Sequence, residues 1–95
     1  MSQPKACILS VSGHQLTDGE RKLLSRVNPW GMILMGRSCQ SPAQVKALTQ
    51  SVWDITGRKT LFFIDQEGGR VRRLRPSAWP EFPAPLTYLP LYKQD

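Results

Sequence analysis

Three stretches of this chain are apolar without alternation, and the segments between them repeat apolar residues at helical spacing. The runs near residues 6–11 (Ala6-Cys7-Ile8-Leu9-Ser10-Val11), 31–35 (Gly31-Met32-Ile33-Leu34-Met35) and 60–64 (Thr60-Leu61-Phe62-Phe63-Ile64) are too short for ordinary helices. In the second and third runs, continuous rather than alternating apolarity predicts strands covered on both faces, as in a parallel sheet, and the first run reads as a further strand. Between the first two runs, Thr17 and Glu20 have capping-box spacing, in which each side chain satisfies a free backbone donor of the first helical turn. Leu23, Leu24 and Val27 then share one face, and Asn28-Pro29 stops the helix, predicted over 18–27. Between the second and third runs, Ser41 at the cap, Pro42 at the first helical position and Gln44 completing a second capping box open a helix over 42–56. Val45, Leu48, Val52 and Ile55 form its apolar stripe, and Gly57 terminates it. Strand, helix, strand, helix, strand at this spacing predicts an α/β fold with parallel pairing and right-handed crossovers.

Beyond Arg75 the texture changes. Pro76, Pro80, Pro83, Pro85 and Pro90, with Trp79 and Phe82 among them, prevent a sustained helix and disfavour a central strand. The expectation is an ordered loop over one end of the sheet, because its aromatic and aliphatic residues need somewhere to pack.

Composition changes this picture little. With 95 residues, 40% hydrophobic and 21% charged, the chain is a small globular unit rather than a disordered one. The net charge of +6 is local: Arg70, Arg72, Arg73 and Arg75 supply four of thirteen basic residues, and without them +2 remains. No aromatic residues interleave with those arginines as stacking platforms would, so nucleic acid is not the expected partner. No segment approaches the roughly 20 apolar residues of a membrane span, and the N-terminal apolar segment, broken by serines, lacks a secretion signal. A cytoplasmic protein is expected. Cys7 and Cys39 lack metal-binding spacing and read as reduced thiols without a role, and no cofactor or metal is expected. His14, the only histidine, reads as a loop residue.

The chemistry gathers where the third apolar run stops. In Leu61-Phe62-Phe63-Ile64-Asp65-Gln66-Glu67-Gly68-Gly69-Arg70-Val71-Arg72-Arg73, Asp65 falls at the carboxyl end of the predicted strand, where parallel sheets collect functional groups. Gly68-Gly69 removes side chains where the backbone turns tightly or lets a ligand approach. A solvated surface turn uses the same residue types.

The order Ile-Asp-Gln-Glu-Gly-Gly-Arg-Val-x-Arg over residues 64–73 closely resembles the signature of glycoside hydrolase family 3, in the branch of bacterial beta-N-acetylhexosaminidases that trim N-acetylglucosamine from recycled cell-wall fragments. Leu16-Thr17-x-x-Glu20, Trp30 to Met35 and Ser41-Pro42-x-Gln44 extend the resemblance along the chain, to the amino-terminal third of such enzymes. It implies a (β/α)8 barrel, of which residues 1–75 would supply the first three βα units and 76–95 a proline-rich loop of the same domain. Barrels of this type take about 250 residues, so the chain would need the remainder of the barrel as its partner.

The resemblance further implies retaining hydrolysis, with terminal beta-1,4-linked N-acetylglucosamine of muropeptides as substrate. Asp65 and Arg73 match residues that bind the sugar; Glu67, Gly68, Gly69 and Arg70 match the motif in roles that shape and charge-balance the loop. Arg72 stands where glutamine is common, and Arg37 and Ser38 lie in another loop at the same end. The family's nucleophilic aspartate, on a late loop, its proton-handling histidine and the Lys-His-x-Pro-Gly motif have no counterpart here, so no catalytic residue is assigned and the chain alone is expected to be inactive. Alternatives are a family 3 enzyme of beta-glucosidase type and a truncated, non-catalytic basic binding protein.

Overall fold

In the computed structural model, residues 3–93 are described; residues 1, 2, 94 and 95, which the ranges 1–75 and 76–95 include, lie outside the described residues. Both long helices begin where their caps require. Helix α1 (Asp18–Val27) has the full capping box: Thr17 Oγ1 accepts from Glu20 N–H at 3.1 Å and Glu20 Oε1 accepts from Thr17 N–H at 2.8 Å. Glu20 Oε2 also accepts from Ser12 N–H at 2.8 Å, which ties the helix start to the preceding loop. Partial burial tends to raise the Glu20 pKa, but the bonds from Thr17 and Ser12 together hold it below its ordinary value. The helix ends on Asn28 in the left-handed region (φ 48°, ψ 68°), its N–H bonded to Leu24 C=O, rather than in the extended conformation favoured before proline.

Helix α2 (Pro42–Thr56) starts at Ser41, whose hydroxyl accepts from Gln44 N–H at 3.2 Å, and ends on Gly57 at φ 73°. The second capping box is half present. The Gln44 side chain accepts from Gln40 N–H at 2.7 Å instead, and its Nε2 donates to the carbonyls of His14 and Ser38. One amide thus joins the first two loops at the carboxyl end of the sheet.

The sheet contains β1 (Lys5–Leu9), β2 (Pro29–Leu34) and β3 (Leu61–Ile64), in that spatial order and parallel throughout. Gly31 to Leu34 pair one-to-one with Leu61 to Ile64, whereas β1 pairs with β2 through a register irregularity between Lys5 and Ile8. The strand limits differ slightly from the sequence pattern. The first strand stops before Val11 because that carbonyl accepts from the side chains of Arg37 and Ser38. Thr60 lies before β3, its hydroxyl 2.8 Å from that of Thr56 and its carbonyl accepting from Trp53 Nε1.

Leu24 of α1 and Leu48 and Val52 of α2 meet Met32 and Leu34 in the core, with Leu9, Phe62 and Ile64 packed against them. Alternation along the strands sends Ile8, Leu61 and Phe63 to the other face, where they are 46%, 48% and 38% exposed. This corrects the expectation that the third strand is covered on both faces. Continuous apolarity marks the sequence as suited to that environment, but among the described residues the helices cover one side. On the open side Phe63 stacks against Trp30, the ring centroids 5.6 Å apart.

The proline-rich segment is not wholly loop. A 3-10 turn over Pro85–Tyr88 runs into a short helix, α3 (Leu89–Tyr92), each with proline near its start, where a missing N–H costs nothing. No helix among the described residues is long and apolar enough to cross a membrane.

Candidate functional site

Asp65 directly follows the last residue of β3, so its backbone leaves a hydrogen-bonded strand at the carboxyl edge of the sheet. The chain then folds back on itself. Gly68 and Val71 form an antiparallel bridge, and Val71 C=O accepts from the N–H groups of Glu67 at 2.9 Å and Gly68 at 3.1 Å. This tight return brings Arg73 beside Asp65, with Nη2 3.5 Å from Oδ2. That separation is an ion-pair distance, longer than a good charge-assisted hydrogen bond. The Asp65 side chain is 50% exposed, that of Arg73 29%. A carboxylate with one long contact keeps most of its acceptor capacity, and the adjacent guanidinium keeps free N–H donors. Together they present an acceptor and a donor side by side just beyond the carboxyl end of β3.

Gly68 and Gly69 have φ of 96° and 59°, conformations that side chains resist. What approaches them is the chain's own proline-rich segment rather than open space for a ligand. A Cβ on Gly68 would lie 2.3 Å from Pro83 O and 2.8 Å from Phe82 O, and one on Gly69 2.8 Å from the Ala84 methyl. Gly69 N–H donates to Phe82 C=O at 2.9 Å, and Arg72 pairs with Glu81, so segment 81–84 is fastened beneath the loop. The carboxylate of Glu67 and the guanidinium of Arg70, both exposed, make no ion pair or hydrogen bond among the described residues. The charge paired in this loop is that of Arg72 and Arg73.

Gln66, to which the sequence pattern assigned nothing, is the best-bonded side chain of the loop. Its Oε1 accepts from Arg73 N–H at 2.9 Å and Leu74 N–H at 3.0 Å, and its Nε2 donates to Leu74 C=O at 2.9 Å. Its place beside Asp65 and its fixed position in the motif over residues 64–73 are the signals that could have drawn attention to it.

Other candidates have structural partners. Arg37 donates from Nε to Val11 C=O at 3.0 Å and from Nη2 to Ser10 Oγ at 3.1 Å, bracing the first loop against the second. His14 contributes its carbonyl to Gln44. Cys7 and Cys39 are free thiols; burial raises the Cys39 pKa, and its Sγ donates to Met35 C=O at 3.5 Å. No cluster of three or more metal-ligating side chains occurs among the described residues.

No protein-family model matches the chain. It is 36% identical over 88 residues to a beta-hexosaminidase of Alkalilimnicola ehrlichii, covering 93% of this chain and 25% of that protein. It is 35% identical over 92 residues to a beta-hexosaminidase of Bordetella avium, covering 97% and 26%. The chain therefore spans about a quarter of the length of the curated relatives it matches. Among solved structures, NagZ from Neisseria gonorrhoeae in complex with N-trifluoroacetyl-D-glucosamine superposes with a TM-score of 0.84 at 26% identity, over 97% of this chain and 27% of that one.

Proposed function

This chain is homologous over nearly its whole length to part of the bacterial beta-hexosaminidases and has the fold of the opening of their barrel; from that premise we propose that it supplies the sugar-binding portion of a retaining beta-N-acetylhexosaminidase. In this reading Asp65 and Arg73 hold hydroxyls of a terminal N-acetylglucosamine, the carboxylate accepting and the guanidinium donating. The single observation that supports it most is their pairing at 3.5 Å just beyond the carboxyl end of β3, where (β/α)8 enzymes build their sites, with the carboxylate half exposed.

The nucleophile and the proton donor come from βα units outside residues 1–95, so this chain binds and orients but does not cleave. The open face carrying Ile8, Leu61 and Phe63 receives the rest of the barrel, which also pairs the free edge of β3. The substrate is a muropeptide with terminal beta-1,4-linked N-acetylglucosamine, processed in the cytoplasm during cell-wall recycling; free rather than bridged cysteines accord with a reducing compartment.

The test is a chimaera in which residues 3–93 replace the superposing quarter of Neisseria gonorrhoeae NagZ. Hydrolysis of an aryl N-acetyl-beta-glucosaminide well above that of the matching aryl beta-glucoside is the expected result. A folded chimaera that hydrolyses neither, or that prefers the glucoside, would refute the assignment.

A further inference from the structure

Gln66 commits three of the four hydrogen-bonding positions of its amide to residues seven and eight places further on. These bonds close the neck of the loop. The tip is closed separately, by the backbone bonds of Glu67 and Gly68 to Val71 and by Gly69 to Phe82. Loss of the Gln66 amide would therefore leave the tip folded and release the neck, where the N–H groups it holds are those of Arg73 and Leu74. On the other side, Gln66 is joined covalently to Asp65, which the end of β3 keeps in place. The amide thus fixes the spacing between the two backbones from which the Asp65 carboxylate and the Arg73 guanidinium extend.

We infer that Gln66 is a positioning residue for the sugar subsite: it touches no sugar, but holds the Arg73 backbone where the guanidinium meets Asp65 and the bound ring together. This rests on the sugar-binding reading of Asp65 and Arg73. A full-length amide is the side chain that makes all three bonds at this position. Glutamate would retain the acceptor for both N–H groups but lose the donor to Leu74 C=O, and methionine would keep the volume and lose all three bonds.

The experiment uses the chimaera described above, reading the inhibition constant of N-acetylglucosamine, KM and kcat separately, and the melting temperature. Gln66→Met is expected to weaken N-acetylglucosamine about tenfold, with the loss in KM exceeding that in kcat. In an Arg73→Ala background the same substitution should cost less than about twofold, because neighbours acting through one contact are not additive. Gln66→Glu should recover most of the affinity, and it keeps the test decisive should Gln66→Met not fold. Unchanged inhibitor affinity with a lowered melting temperature would make Gln66 a loop scaffold only and overturn the inference, as would a loss in Gln66→Met that multiplies fully with that of Arg73→Ala. Failure of the sugar reading looks different: Asp65→Asn and Arg73→Ala would then leave inhibition unchanged. In that event the crystal structure of Gln66→Met decides the positioning role, which a retained Arg73–Asp65 contact would overturn.

Discussion

Gly68→Ala is the substitution whose consequence the geometry constrains most tightly. The new methyl would sit 2.3 Å from Pro83 O and 2.8 Å from Phe82 O, and both neighbours are main-chain atoms that cannot rotate away. A φ of 96° lies outside the usual left-handed basin of residues with a Cβ, which adds about 1–3 kcal/mol of backbone strain. If segment 82–84 stayed in place, overpacking would contribute about 1–3 kcal/mol more. The alternative is for the segment to lift away, losing the Gly69–Phe82 hydrogen bond, worth about 1 kcal/mol, and the exposed Arg72–Glu81 pair, worth about 0–1 kcal/mol. Lifting the segment is the smaller penalty, so the substitution should open 81–93 locally while the sheet and the two long helices persist. The total cost should be about 2–5 kcal/mol. Gly69→Ala should cost less, since a φ of 59° lies within the left-handed basin and its nearest neighbour, the Ala84 methyl, is 2.8 Å away. Limited proteolysis between residues 76 and 93, with melting temperature alongside, reads both effects. Equal protease resistance of Gly68→Ala and the parent would refute the packing argument, and so would a Gly69→Ala variant that opens more readily than Gly68→Ala.

Three further outcomes are expected. Thr17→Ala should destabilise the chain by about 0.5–2 kcal/mol by removing the cap of α1, measured by denaturant unfolding; no change would show that the capping box contributes nothing to stability. Because the folded-state pKa of Glu20 is lowered, its contribution is fully present above the ordinary carboxylate value of 4.5 and is lost as pH falls through the lower folded value. The stability difference between the parent and Glu20→Gln should therefore shrink below pH 4.5, and a difference that grows with acidification would reverse the assigned sign. Residues 1–95 alone should show no hydrolysis of an aryl N-acetyl-beta-glucosaminide, and turnover by purified chain would contradict the placement of nucleophile and proton donor elsewhere.

What the sequence made legible follows from where local chemistry decides the structure. Helix α2 was readable to both ends because Ser41, Pro42 and Gly57 each act within one turn of their own position. The parallel pairing of β2 and β3 followed from apolar runs separated by a helix. The end of β1 was not readable, since it is set by Arg37 and Ser38 reaching Val11 C=O across 26 and 27 positions. Gln44 was legible only in part: its oxygen turned from the predicted capping box to Gln40 N–H close by, and its Nε2 reached the carbonyl of His14, 30 residues away. At the site, Asp65 and Arg73 could be named from the motif, but the reason for the glycines could not. That reason is the approach of Phe82, Pro83 and Ala84, which nothing local to Gly68 announces. Gln66 stayed hidden because an amide beside a charged residue in a polar loop looks solvated until its partners are seen.

The role of Asp65 is tested most directly by measuring N-acetylglucosamine inhibition together with melting temperature for Asp65→Asn in the chimaera. Hydrogen bonds to a charged group are worth about 1.5–3 kcal/mol, so the inhibition constant should rise about ten- to a few hundredfold. Stability should barely change, because the carboxylate is half exposed to water and its one partner among the described residues is 3.5 Å away. An unchanged inhibition constant in a destabilised protein would contradict the account, making Asp65 a brace for the Arg73 loop and leaving the sugar to other residues.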